Sequence, residues 1–208
     1  MVADSKQVAQ VIPVTVCTPT IPPRGELLSR SIRSVAEQTI KPADHLIMVD
    51  VHREGAPSMI DKTIRQAETE WVATLADDDE LLPHHLETMW DLVTSQNADI
   101  GFTHFKYSGL PDAGHLEQYR GQPFDNNKPR QMTGVFMAKR ELLLEVGGHS
   151  TGFDPFSYER DDQGNRIGED FLIVKRLAAA GARFAVSPEV TWIYHTGHGN
   201  TLGMPNAW

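Results

Sequence analysis

Asp77, Asp78, Asp79 and Glu80 stand in a row directly after the apolar run 71–76, and Leu81-Leu82-Pro83 closes them off on the other side. Like charges about 4 Å apart repel by roughly 1 kcal/mol in water and by about 4 kcal/mol near a protein surface. Four acids at the mouth of a buried strand are therefore costly unless a cation sits among them. A hard divalent ion such as Mg²⁺ or Mn²⁺, which prefers carboxylate oxygens, would offset that cost. The competing reading is a solvated helix start, where the dipole favours acids and Pro83 takes the first turn. A second group of metal-capable side chains comes late in the chain. His195 and His198 follow the strand-like stretch 190–195, and neutral imidazole is a good partner for Mn²⁺ beside carboxylates, with His195 the better placed.

The elements that would hold these residues alternate between strand and helix. Residues 11–17 read as a buried strand, 26–39 as a helix with Leu27, Leu28, Ile32 and Val35 inward, and 45–50 as a second strand. Residues 58–69 read as a helix capped by Ser58, 71–76 as the third strand, 83–95 as a helix burying Leu86, Met89, Trp90 and Val93, and 100–107 as a fourth strand. This order predicts a βαβαβ unit with a parallel sheet. Beyond a Gly-, Pro- and Asn-rich stretch at 110–129, a short strand is expected at 133–138, a helix at 140–146 stopped by Gly147-Gly148, and a helix at 169–180 stopped by Gly181. Strands at 183–186 and 190–195 complete the pattern, and no internal repeat is seen.

Composition narrows the function classes. The chain has 208 residues, 40% hydrophobic and 23% charged, which suits one large domain or a domain with a small appendage. A net charge of -9 argues against a nucleic-acid groove, because phosphate-backbone binding relies on clustered Lys and Arg. No run approaches the roughly 18 apolar residues a membrane span needs, and residues 1–10 are polar, so a cytoplasmic protein is expected. The lone Cys17 excludes an internal disulfide and reads as a buried thiol.

In open α/β sheets a ligand sits beyond the carboxyl ends of the strands, which draws attention to 18–25, 51–57 and 77–80. There is no G-x-G-x-x-G after the first strand and no G-x-x-x-x-G-K-S/T anywhere, so neither glycine-rich phosphate cradle is present. A diphosphate would have to be held through a metal. That combination fits a metal-dependent transferase acting on nucleotide sugars.

Most of the chain shares in a family resemblance. Val14-Thr15-Val16-Cys17-Thr18-Pro19-Thr20, then Ser31-Ile32-Arg33-Ser34-Val35-Ala36-Glu37-Gln38-Thr39, then Leu46-Ile47-Met48-Val49-Asp50 resemble the opening of the family 2 glycosyltransferases of GT-A fold. Residues 70–83 match that family's D-x-D segment, and Gly168-Glu169-Asp170-Phe171-Leu172 is similar to its acidic acceptor-site motif. The resemblance implies a mixed, mostly parallel sheet flanked by helices in a single domain over 1–208. Residues 11–107 would form the nucleotide-sugar half, and 108–208 the smaller acceptor-side half and tail.

Carried over by position, the resemblance sets Thr18, with Pro19 and Thr20, by the base and ribose. It also implies that Asp50 bonds the nucleobase, that Asp77 lies near ribose and metal, and that Asp78 ligates the metal. Asp170 would be the general base, with Glu169 beside it, and some relatives use a late histidine as a metal ligand. Two positions depart from the family pattern. Ala76 stands where many members carry the first acid of D-x-D, so Asp77 or Asp79 supplies any second carboxylate. Ile60-Asp61 replaces a common Arg-Asn pair, leaving Arg53, Lys62 or Arg65 to contact the donor.

The implied activity is inverting hexosyl transfer from a nucleoside-diphosphate sugar to an acceptor hydroxyl. A UDP-sugar is preferred, because a carboxylate at Asp50 suits a base that offers an N–H. The acceptor class stays open among glycan, lipid, protein and nucleobase, since 110–129 and 152–168 are loops of a composition that does not encode it. Two other readings remain: a sugar-phosphate nucleotidyltransferase, which would want a basic glycine-rich loop where 18–25 carries only Arg24 and Gly25, and a catalytically silent carbohydrate- or nucleotide-binding domain. For Asp170 the alternative role is helix capping, because acids are favoured at a helix N-terminus.

Overall fold

A computed structural model describes residues 10–108, 120, 122–125, 134–152 and 168–195. Seven strands form one sheet in the order β2-β1-β3-β6-β5-β7-β4. They are β1 (Val11–Thr20), β2 (Lys41–Val49), β3 (Trp71–Thr74), β4 (Glu80–Leu81), β5 (Ile100–Ser108), β6 (Met137–Lys139) and β7 (Phe184–His195). Parallel pairing joins β1 to β2, β1 to β3 and β5 to β7, and these junctions carry the long ladders. Short antiparallel junctions tie β6 between β3 and β5, and β4 to β7. The sheet is therefore mixed rather than purely parallel, and strands from both sequence halves share it.

Helices cover both faces. On one side α1 (Gly25–Ala36) and α3 (His85–Ser95) pack with Val14, Val16, Trp71, Ala73 and Leu81. On the other, α2 (Ala56–Gln66), α4 (Arg140–Glu145) and α5 (Glu169–Ala179) meet Cys17, Val72, Phe102 and Phe136. Alternate residues of β1 and β3 go to opposite layers, as the period-2 geometry of a strand requires. Both layers are apolar, so all four residues of β3 are buried. Fully buried aromatic rings such as Phe102 and Phe136 each stabilise the fold by about 2–3 kcal/mol through removal of apolar surface from water. Cys17 is buried, and burial pushes its thiol up to about 11, so it is a packing residue and not a nucleophile.

Several local expectations change. Ile32 on α1 is exposed, while Ser31, Ser34 and Val35 face inward. The cause is that α1 covers the polar acidic turn as well as the core, so its inner face needs hydroxyls. Ser58 does not cap α2; Gly55, at φ 91°, precedes the helix and Pro57 sits in its first turn. That turn is organised by Asp50, described below. The two strands expected at 183–195 are one continuous β7, and the two-residue β4, which lies inside the acidic segment, was not expected. Gly147 (φ +87°), Gly148 (φ +75°) and Gly181 (φ +79°) end their helices in the left-handed conformation, as expected. No helix among the described residues is long and apolar enough to cross a membrane.

Candidate active site

Strands β1, β2 and β3 run parallel and end side by side, so Thr18–Thr20, Asp50 and the acidic turn lie along one edge. A continuous chain of hydrogen bonds links them. The Asp50 N–H donates to the Thr20 carbonyl at 2.8 Å. The Thr20 hydroxyl donates to Asp77 Oδ2 at 2.7 Å. Arg24 Nη1 then donates to both Asp77 Oδ1, at 2.8 Å, and Asp78 Oδ2, at 2.9 Å.

The backbone of the acidic turn is held from α1. Ser31 Oγ donates to the Ala76 carbonyl at 3.2 Å, Arg30 Nη2 to the Asp78 carbonyl at 2.6 Å, and the Leu81 N–H to Ser34 Oγ at 3.1 Å. On the far side, the His195 backbone N–H donates to Asp79 Oδ1 at 3.1 Å, and its ring Nε2 lies 3.2 Å from Glu80 Oε2. The acids thus sit in the sheet's interior rather than on a solvated helix start: Asp77, Asp78 and Asp79 are 4%, 6% and 3% exposed. Burial raises the Asp78 carboxyl above its ordinary value even though Arg24 opposes the shift. Asp79 is raised further, by burial and then by the neighbouring Asp78 charge.

Asp50 is buried at the end of β2, and its two oxygens accept from the loop N–H groups of Glu54, at 2.9 Å, and Gly55, at 2.7 Å. It therefore builds the loop into α2; each carboxylate oxygen still has a second lone pair that can accept from a ligand. Arg53 in that loop has φ 59° and is exposed. Lys62 pairs with Glu54 at 2.5 Å on the surface, and Arg65 is exposed, so neither reaches the acids. Among the described residues the cation that bonds the Asp77 and Asp78 carboxylates is Arg24, from the loop after β1. Thr18 is fully buried, and its hydroxyl lies 2.9 Å from His45 Nε2. Its contact is thus with β2, while Thr20 is the β1 hydroxyl that meets the acids.

Glu169 and Asp170 open α5 behind Gly168, which provides no side-chain cap. The Asp170 carboxylate lies over Gly134, where an added Cβ would stand 3.5 Å from its Oδ2. The Gly134 carbonyl in turn accepts from Thr74 Oγ1 at 2.7 Å, and Thr74 is the last residue of β3. The same sheet edge that carries the acidic turn therefore carries Asp170 beside it. Burial raises the Asp170 carboxyl, and the positive form of His149 works against that rise. A carboxyl with a raised proton affinity matches what a general base requires.

The acids have the chemistry of a hard-cation site: oxygen donors only, buried, with burial holding two of them above their usual proton affinity. Among the described residues no three His, Cys, Asp or Glu side chains converge as a metal cage. Asp78 faces Arg24, whereas the His195 ring faces Glu80, so the expected grouping of Asp78, Asp79 and His195 is not assembled around one point. His198 lies outside the described residues, as do most of 110–129 and 152–168. The residues present suit an ion held by one or two carboxylates and completed by a ligand's phosphates, which is the usual Mg²⁺ arrangement.

With this geometry in view, the chain can be set beside known proteins. The structure of S. aureus TarS 1–349 in complex with UDP-GlcNAc superposes with a TM-score of 0.66 at 14% identity, covering 92% of this chain and 60% of that one. Its complex with UDP gives 0.62 at 13% identity, over 89% and 61%. The fold is of the GT-A type. In sequence, the chain is 26% identical over 168 residues to the succinoglycan biosynthesis protein ExoO of Rhizobium meliloti (strain 1021), covering 76% of this chain and 47% of that protein. The chain thus spans about half the length of ExoO and three fifths of TarS 1–349. No protein-family model matches it.

Proposed function

We propose that this chain carries the catalytic unit of a cytoplasmic, metal-dependent, inverting glycosyltransferase that takes a sugar from a UDP-linked donor to an acceptor hydroxyl. The observation that carries the reading is the shared edge: Asp50, Thr20, Asp77 and Asp78 form one hydrogen-bonded row at the ends of β1–β3, with Asp170 beside it. The UDP and UDP-GlcNAc complexes of TarS, which has the same fold, favour a UDP-sugar as donor.

In this reading the free lone pairs of Asp50 accept from the uracil N3–H, a charge-assisted bond. Thr20 and Asp77 border the ribose, and Asp78, with Asp79, holds the cation. When bound, that divalent ion neutralises the charge that develops on the departing diphosphate. Asp170 takes the proton from the acceptor hydroxyl as it attacks the anomeric carbon from the face opposite the leaving group. Its raised proton affinity strengthens it for this task, and the single displacement inverts the anomeric centre.

Thermal-shift measurements with UDP, GDP, TDP and CDP, each with and without Mn²⁺, test the donor side, because a bound ligand raises apparent stability by mass action. The expected result is stabilisation by UDP that requires Mn²⁺. Equal shifts from all four, or none from any, would refute the assignment. The anomeric configuration of the product, read by proton NMR once transfer is seen, tests inversion.

A further inference from the structure

Arg24 ends the short 3₁₀ turn Pro22–Arg24 that joins β1 to α1, with its N–H donating to the Ile21 carbonyl at 3.1 Å. The two prolines restrict the backbone of that turn. Pro22, Pro23 and Gly25 around it are exposed, yet the Arg24 side chain is only 11% exposed, because the guanidinium reaches inward to Asp77 and Asp78. It enters the acidic turn from outside the sheet and can leave without disturbing the core.

Arg30, the other arginine at this turn, is committed to the backbone through its bond to the Asp78 carbonyl. Asp79 accepts from the His195 backbone N–H. Among the described residues, three buried carboxyl groups thus meet one guanidinium, which bonds two of them. A divalent ion brings twice the charge to the same oxygens, and carboxylates are its preferred donors, so it competes with Arg24 for Asp78 directly. A guanidinium left beside such an ion is repelled by it and needs another anion. The chain has no glycine-rich phosphate cradle, and the planar fork of an arginine matches phosphate oxygens in the same way that it matches a carboxylate.

We propose that Arg24 is an exchangeable cation: it neutralises Asp77 and Asp78 while the donor site is empty, gives up Asp78 to the divalent ion, and then binds the donor's diphosphate. Arg24 thereby couples occupation of the acids to recognition of the diphosphate. The second half of this rests on the reading of the sheet edge as a nucleotide-sugar site; the exchange at Asp78 can be measured with the ion alone.

The test compares wild type with Arg24→Gln, which keeps an N–H donor for the acids but no charge, and Arg24→Ala. Electron paramagnetic resonance of free Mn²⁺ gives the affinity for the ion alone, and calorimetry in Mn²⁺ gives the affinities for UDP and for uridine. Both variants should bind Mn²⁺ alone several-fold more tightly, because the competing cation is gone. They should bind UDP about tenfold or more weakly, the scale of one hydrogen bond to a charged group, while uridine binding stays unchanged. An unchanged Mn²⁺ affinity, an unchanged or tighter UDP affinity, or a UDP loss matched by uridine would each overturn the proposal. The second of these is what a purely structural counter-ion predicts. Guanidinium ¹⁵N NMR of wild type supplies a reading that stands even if neither variant folds: the Arg24 signal should move on addition of Mg²⁺ and again on addition of UDP, and a signal unmoved at either step refutes the exchange. A wild type that binds no UDP with or without Mn²⁺ sinks the donor reading itself, whereas metal-dependent UDP binding that the variants retain in full removes only Arg24 from it.

Discussion

Arg24 Nη1 lies 2.9 Å from Asp78 Oδ2 and 2.8 Å from Asp77 Oδ1, so one guanidinium nitrogen bridges the two carboxylates. Both partners are nearly buried, with side chains 11% and 9% exposed. Removing one member of such a pair leaves an uncompensated charge, which typically costs about 3–5 kcal/mol.

Arg24→Ala should therefore lower the melting temperature in EDTA and recover much of the loss in Mn²⁺, because the ion then meets carboxylates without a competing cation. Differential scanning fluorimetry across a Mn²⁺ series checks this, and wild type should gain less from the ion than the variant does. An equal Mn²⁺ gain in both proteins would mean that Arg24 and the metal do not share the acids.

Asp78→Ala should abolish the metal dependence of UDP binding while leaving any metal-free binding in place. Calorimetry in EDTA and in Mn²⁺ separates the two. Metal dependence that survives in Asp78→Ala would move the ligand role to Asp79.

Asp50→Ala should weaken UDP binding by about 1.5–3 kcal/mol, the scale of a hydrogen bond to a charged group. It should also destabilise the protein by about 1–3 kcal/mol, because the Glu54 N–H and the buried Gly55 N–H lose their acceptor. The two effects are read separately, by calorimetry and by urea unfolding. A loss of stability with unchanged UDP affinity would reduce Asp50 to a loop-building role.

The sheet and helices were legible because apolar periodicity survives in each element, and the acidic turn was legible because four acids in a row are rare after a buried strand. Ile32 misled because an apolar residue was assumed to face the core, whereas α1 turns Ser31 and Ser34 inward to bond the turn's backbone. β4 escaped notice because two residues have no period, and its pairing with Ile193 and Trp192 is set by β7, more than a hundred residues away. Arg24 and His149 were equally hidden. A single arginine after a strand and a single histidine after two glycines carry no local signal, and only tertiary packing places them against Asp78 and against Phe136.

Acid should destabilise the fold through His85. It is buried, with Nδ1 2.7 Å from Thr191 Oγ1, and burial, reinforced by His84, lowers its proton affinity to about 3. The unfolded chain takes up this proton near pH 6.5 and the folded chain refuses it until about pH 3, so stability is complete above pH 6.5 and falls as pH drops through that window. The slope is about 1.4 kcal/mol per pH unit for one such group. His45, lowered to about 4 chiefly by burial, adds in the same direction. The raised carboxyls of Asp78 and Asp79 act oppositely, gaining stability as pH falls. Urea unfolding of wild type and His85→Gln between pH 7 and pH 4 isolates His85, because the other groups cancel in the comparison. The variant should show the shallower decline on the acid side, and parallel curves would refute the assignment.

Asp170→Asn decides whether the row of residues at the sheet edge is an active site. A general base acts on the transition state more than on the bound donor, so turnover should fall about 10²-fold or more while UDP affinity in Mn²⁺ stays near that of wild type. Asparagine keeps the size of the side chain and can still accept at a helix N-terminus, so a purely capping role predicts an unchanged rate. The environment sharpens the contrast: burial already raises the proton affinity of Asp170, and a neutral amide removes that strained charge, so the variant should be at least as stable as wild type. Transfer to a confirmed acceptor, or donor hydrolysis until one is found, supplies the rate, and circular dichroism with urea unfolding supplies the stability. A variant that is stable, binds UDP and is inactive identifies Asp170 as the base; one that is stable and fully active transfers that role to Glu169.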